Sequence, residues 1–304
     1  MRSKIGLLVW AALALGSVSA AAAQEAQPVD ARMQIRATVL AQINVDRAQY
    51  ALPPVQLDPL LNTAADYHAV EMLTGDYLSH WNTYGLKPYH RYSLFGGYHF
   101  TQENLYYHEH RGSIDTSAAG LLRLCLAGHA AFMAEKPPND GHRRSVLNPH
   151  NTHVGIGFAA SRDSFRFVEL FAIAMISDFA PTERVFRGLT GIPVSGQVPE
   201  GFTVQSITVY FEDWPQPMDL RGKKQGGAYF LPNQRTDLFP VLPQGMWYSD
   251  GTRGTIEVQP GGRFQATIPF DRGPGVYTVV VWISQGQNSC PIGATQVSLF
   301  VPPY

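Results

Sequence analysis

At 304 residues the chain is long enough for two domains of ordinary size, and a formal net charge of −1 with 15% charged residues leaves no electrostatic footprint for nucleic acid or an anionic membrane. Only Cys125 and Cys290 are present, so this is not a disulfide scaffold and stability has to come from packing. A bridge between these two would clamp the halves of the chain together; two independent thiols are the alternative reading.

Arg2 and Lys4 precede an apolar run from Ile5 to Leu15 and then small residues to Ala23, which reads as a cleavable export signal over residues 1–23. Nothing later approaches the ~20 consecutive apolar residues of a transmembrane helix. No cysteine lies near the cleavage site to carry a lipid anchor. The expectation is a secreted or periplasmic protein.

Ile35, Val39 and Ile43 recur at four-residue steps and predict a first helix. A second apolar stripe runs through Leu57, Leu60, Leu61, Ala64, Ala65, His68 and Met72, with Asp58 as its cap and Pro59 at its first position. A third helix is predicted after Asp115, through Leu121, Leu122, Cys125 and Phe132, ending at Pro137 and Pro138. The period then becomes two, with Val154, Ile156 and Phe158 on one strand and Phe165, Phe167, Glu169 and Phe171 on another. Beyond Asp178 short alternating runs (Ile207, Val209, Phe211; Phe264, Ala266, Ile268, Phe270; Val297, Leu299, Val301) are broken by Gly and Pro. The reading is an α+β domain over 28–178, a linker at Phe179 to Leu189, and an all-β immunoglobulin-like sandwich over 190–304.

All ten histidines lie between His68 and His153, which assigns any chemistry to the first domain. There the ordered set Ser79-His80, Glu103-Asn104, Gly141-His142-Arg143 and Val154-Gly155-Ile156-Gly157 stands among Asn44, Arg47, Ala64-Ala65, His68-Ala69, Pro88, Arg91, Gly97 and Asn148-Pro149. This string resembles the bacterial branch of the CAP superfamily (cysteine-rich secretory proteins, antigen 5 and pathogenesis-related 1 proteins) over about 150 residues. The resemblance implies an α-β-α sandwich in which two histidines and two acids converge on a cleft. His80 and His142 match the histidines and Glu103 the first acid; Glu135, after Phe132, has the spacing of the second, with Glu169 competing for that place. Ser145-Val146 and Glu169 depart from the usual family residues.

Imidazoles with carboxylates beside them suit zinc or another divalent metal, and two histidines alone make an open, weakly held site completed by water. Without a metal the same groups form a hydrogen-bonded cluster in which each acid orients an imidazole. Three functions follow. The first is a binding or interaction module for a lipid, sterol or other small apolar molecule, a glycan or an extracellular macromolecule. The second is a metal-assisted hydrolase or peptidase, with Glu103 and Glu135 as acid and base and His80 and His142 on the ion. The third is a structural or adhesive protein.

Other residues read more blandly. His68 on the apolar stripe is a core histidine, and His108 and His110 are solvated in a Tyr-rich loop. Gly155-Ile156-Gly157 is not a dinucleotide fingerprint, because it lies inside a strand. The aromatics from Trp81 to Tyr107 divide between core and cleft lining. Trp214, Trp247 and Tyr248 are the expected exposed contacts of the sandwich.

Overall fold

A computed structural model describes residues 29–188, 190–224, 227–286 and 289–303. The export segment read at residues 1–23 and the linker's last residue, Leu189, lie outside the described residues. Helix α1 (Val29–Gln49) is followed by β1 (Gln56–Leu57), α2 (Pro59–Thr74), α3 (Pro88–Leu94), β2 (Phe100–Glu109), α4 (Ala118–Ala134), α5 (Gly141–Val146), β3 (His153–Ala160) and β4 (Ser164–Ile173). The four strands form one sheet in the order β1-β3-β4-β2, with β1 parallel to β3 and the longer strands antiparallel.

The sheet is covered on both faces. On one, Ile35, Val39 and Ile43 of α1 and Leu121, Cys125 and Phe132 of α4 pack against Val154, Ile156, Phe158, Phe165, Phe167 and Phe171. On the other, Leu61, Ala65, Ala69 and Met72 of α2 pack against Ala159, Val168, Leu170 and Ala172. This is the α-β-α layering expected.

Helix α2 starts where its cap requires, with the Leu61 N–H donating to the Asp58 carboxylate at 2.7 Å and Pro59 in the first turn. Its approach to the sheet explains the Val-Gly-Ile-Gly motif. A Cβ on Gly155 would stand 2.2 Å from the Leu61 carbonyl carbon, and one on Gly157 would stand 2.1 Å from that of Ala65. The glycines leave room for a helix backbone rather than a phosphate.

One local expectation is corrected, the start of α4 is defined and the cysteine alternatives are decided. The stretch up to His108 is not a loop, since residues 100–109 form β2, the edge strand of the sheet, and only His110 lies beyond its end. Its side chains serve both layers, Leu105 one and Tyr106 the other, so no alternation marked it. The cap of α4 is Ser117, whose hydroxyl accepts from the Gly120 N–H, while Asp115 accepts from the Ser117 N–H. The two thiols are unpaired, Cys125 buried in the first core and Cys290 exposed, which removes the clamp between halves.

The second half begins with β5 (Ser177–Ala180), a strand that straddles residue 178 and pairs with β6 (Gly191–Gln197). Next come β7 (Thr203–Glu212), β8 (Arg235–Leu238), β9 (Glu257–Val258), β10 (Arg263–Pro269), β11 (Gly275–Ser284), β12 (Ile292–Gly293) and β13 (Val297–Val301). Sheet β5-β6-β10-β9 faces sheet β12-β11-β7-β8, with β13 also on β11, across one apolar core that includes Ile192, Phe264, Ile207, Val279 and Leu299. This is the expected β-sandwich. No described helix is long and apolar enough to cross a membrane.

The halves are joined by buried polar contacts. The Ser298 N–H donates to the Ser93 hydroxyl at 2.8 Å, and the Thr101 N–H to Gln296 Oε1 at 3.1 Å. His90 in α3 is fully buried, with Nδ1 accepting from the Lys87 N–H and Nε2 on Glu212 of β7 at 3.1 Å. Burial works to raise the Glu212 carboxyl, but His90 and Lys87 outweigh it and hold the group at about 2. Of the three aromatics expected at the surface, Trp247 is 61% exposed. Trp214 and Tyr248 are instead half-buried, Trp214 edge-on to Phe300 and Tyr248 bonded to the Pro240 carbonyl.

Candidate functional site

The candidate site is built around edge strand β2. Glu103 shares parity with Leu105 and faces the α2 layer; Asn104 shares parity with Tyr106 and faces the α1/α4 layer. The candidate residues accordingly form two histidine–carboxylate pairs.

The first pair is buried. His80 Nδ1 donates to Glu103 Oε1 at 2.9 Å. The Arg91 guanidinium donates to Glu103 Oε2 at 2.7 Å and to the His80 carbonyl at 2.6 Å, so one arginine fixes both members. Pro88 opens the short helix that carries Arg91. Burial alone would raise the Glu103 carboxyl; Arg91, with His68 and His80, holds it down at about 2. Burial lowers the pKa of His80 despite the carboxylate, which keeps the ring neutral. His68 behaves as a core histidine, with Nε2 on the Ser79 carbonyl at 2.8 Å, and it also stands 4.0 Å from Glu103.

The second pair is half-open. His142 Nδ1 lies 2.5 Å from Glu135 Oε1, while Glu135 Oε2 accepts the N–H groups of His142 and Arg143 at the start of α5. One carboxylate therefore closes a helix end and sets the imidazole, with the proton on Nδ1 and Nε2 left for another partner. Of the two acids weighed for this place, Glu135 is the one touching His142. Beside it a cavity of about 550 Å³ is lined by Gln102, Asp140, Arg143, Arg144, Leu147 and Asn148, among others.

Glu169 belongs to a network that sequence reasoning missed. It is fully buried with Oε1 on His129 Nδ1 at 2.7 Å; His129 Nε2 meets Asp46 at 2.9 Å, and Asn104 links Glu169 Oε2 to the His142 carbonyl. Burial would lower the His129 pKa, but a carboxylate on each nitrogen pushes it up to about 9. The available signal was positional: His129 falls four residues after Cys125 and three before Phe132, on the buried stripe of α4.

The second missed residue comes from the other half of the chain. Tyr229 accepts the Glu103 N–H at 2.9 Å and sets its ring 4.7 Å from that of His80. The first pair thus lies beneath a side chain of the sandwich. No local sequence signal pairs residues 126 positions apart.

A metal would have to use the nitrogens left on His80 and His142. Among the described residues, no group of three or more His, Cys, Asp or Glu is placed to share an ion. The donor set does not fit a protein-held zinc centre, for which three or four such ligands are usual.

Residues 40–172 match the family model described as CAP, the cysteine-rich secretory protein family. That segment is a CAP domain. A curated relative, the uncharacterized protein YkwD of Bacillus subtilis (strain 168), is 26% identical over 128 residues; the match covers 39% of this chain and spans about 40% of that relative's length. Among solved structures, an extracellular protein containing a SCP domain from Bacillus anthracis str. Ames is similar at 18% identity and a TM-score of 0.34, covering 44% of this chain and 39% of that one. An outer surface protein from Borrelia burgdorferi is similar at 16% identity and a TM-score of 0.35, covering 46% and 92%.

Proposed function

We propose that the chain is an exported interaction protein whose CAP domain binds a ligand rather than turning one over. The observation that carries this is the state of Glu103. Its carboxylate is committed to His80 and Arg91, its N–H is taken by Tyr229, and its pKa is held at about 2. A general base works best with a pKa near the operating pH, and a buried anion of this kind has almost no proton affinity at neutrality. The cavity beside the site carries the polar side chains of Gln102, Asp140, Arg143, Arg144 and Asn148 together with Leu147 and Pro149. These groups suit a ligand rich in hydrogen-bonding groups, a polypeptide or a glycan, better than a sterol or lipid tail.

One observation favours the hydrolase reading as a second choice. His142 is oriented by Glu135 in the manner of a general base and is 34% exposed.

Two measurements separate the readings. Full-length protein purified without denaturation is extracted and analysed by mass spectrometry; retained polar material that is lost in an Arg143→Ala/Arg144→Ala variant supports binding. The same protein is incubated with casein, and products that stop appearing in His142→Ala would replace the binding reading with the hydrolytic one.

A further inference from the structure

Strands β7 and β8 are joined by residues 213–234, whose described part forms no helix or strand apart from an isolated bridge at Lys224. A connection this long without secondary structure is uncommon in a compact domain. It does not hang free, because its described stretches 214–224 and 227–230 run along the CAP domain between Asp76 and Tyr89.

Backbone pairs with backbone along this contact. The Met218 N–H donates to the Thr83 carbonyl, the Gly222 N–H to Asp76, and the Leu78 N–H to Lys223, each at 2.8 Å, and Leu78 and Lys224 form a parallel bridge. A Cβ on Gly85 would stand 2.4 Å from the Gln216 carbonyl oxygen, so the CAP surface is relieved where this backbone passes.

Three side chains enter sites of different chemistry. Leu220 is buried in the cluster of Leu61, Met72, Tyr77 and Tyr92. The Lys224 ammonium meets Asp76 at 2.5 Å and Glu109 at 2.8 Å. The Tyr229 hydroxyl caps the Glu103 N–H on the unpaired edge of β2. Backbone pairing combined with pockets for spaced side chains is a recurrent mode of peptide recognition.

We propose that this face of the CAP domain is a peptide-binding groove, and that the chain fills it with its own segment. The groove selects a peptide with an aliphatic residue, a turn directly after it, a cation four positions after the aliphatic residue and a phenol five positions after the cation, as in Leu220, Arg221-Gly222, Lys224 and Tyr229. The segment is therefore a ligand in cis, and a peptide of the same pattern competes with it in trans. This rests on the reading of the CAP domain as a binding module.

The test uses the full chain with Lys224→Ala and Tyr229→Ala, and a fluorescent peptide of residues 214–230. By anisotropy the double variant is expected to bind the peptide at least tenfold more tightly than the unaltered chain does, because the unaltered groove is occupied. A peptide carrying Tyr229→Ala is expected to lose at least tenfold in affinity. If Tyr229→Ala disturbs the fold, as read by circular dichroism, Lys224→Ala with Tyr229→Phe keeps the ring, removes the cation and the hydroxyl, and is judged by the same readout. Equal binding by the altered and unaltered chains, or equal binding of both peptides, overturns the proposal while leaving the binding-module reading in place. Cleavage of a bound peptide, seen by mass spectrometry of the same samples, supports the groove and overturns the binding-only reading.

Discussion

Glu169 holds Nδ1 of His129 at 2.7 Å in the middle of the CAP core, and Asp46 takes the opposite nitrogen at 2.9 Å. With a pKa pushed up to about 9, the ring is an imidazolium at neutral pH. Replacing His129 by Ala leaves Glu169 buried without its cation, and the expected loss is about 3–5 kcal/mol. Because the folded-state pKa lies above the ordinary 6.5, the contribution is complete below pH ~6.5 and disappears as pH rises through about 9. Urea midpoints measured across that window should fall for the wild type and stay flatter for His129→Ala; parallel curves would show that the ring is not charged.

Arg91 stands in the same relation to Glu103, with the sign reversed. The Glu103 carboxyl is held at about 2, so its contribution is present above pH ~4.5 and is lost as pH falls toward 2. Arg91→Met leaves the carboxylate buried beside a neutral imidazole and should cost about 3–5 kcal/mol at neutrality. Acid unfolding, followed by tryptophan fluorescence, should then begin at a higher pH than in the wild type. An unchanged acid midpoint would mean that His68 and His80 suffice.

The glycines of β3 make a packing prediction. Gly157→Ala forces a methyl group into the Ala65–Asp66 backbone, where overpacking costs about 1–3 kcal/mol. Gly141→Ala, where an added Cβ meets nothing within 4 Å, is the control and should change stability far less. Comparable urea midpoints for the two variants would contradict the close approach of α2.

The cysteines make a chemical one. Cys290 is exposed, whereas Cys125 is buried and its thiol is pushed far above the ordinary range. Under native conditions an aromatic disulfide reagent should titrate one thiol per chain quickly, and two after denaturation. A Cys290→Ser variant with a fast native thiol would place Cys125 at the surface.

Much of the CAP half was legible in the sequence because its signals are local. Asp58 followed by Pro59 marks a helix start, and the four-residue steps of Ile35, Val39 and Ile43 mark a buried stripe. The spacing after Phe132 put Glu135 forward as the second acid, with Glu169 left competing for the place. What escaped lacked a local signal. Strand β2 packs on both faces and shows no alternation, and the 7-residue α3 and 6-residue α5 are too short for a period to register. His129 looked like one more polar residue on a helix until its two carboxylates arrived from α1 and β4. Tyr229 was invisible for a related reason: it serves a site whose other members lie more than a hundred residues earlier.

The contacts that close the outer edge of β2 come late in the chain. Gln296 reaches back 195 residues to Thr101, and Tyr229 reaches back 126 to Glu103. A chain synthesised N-terminus first therefore presents the CAP sheet with a bare edge for as long as the remaining sequence takes to follow. Such an edge is a template for pairing with other chains, and contacts of this separation form slowly. The C-terminal sandwich thus covers an edge that the first sheet would otherwise leave open to pairing.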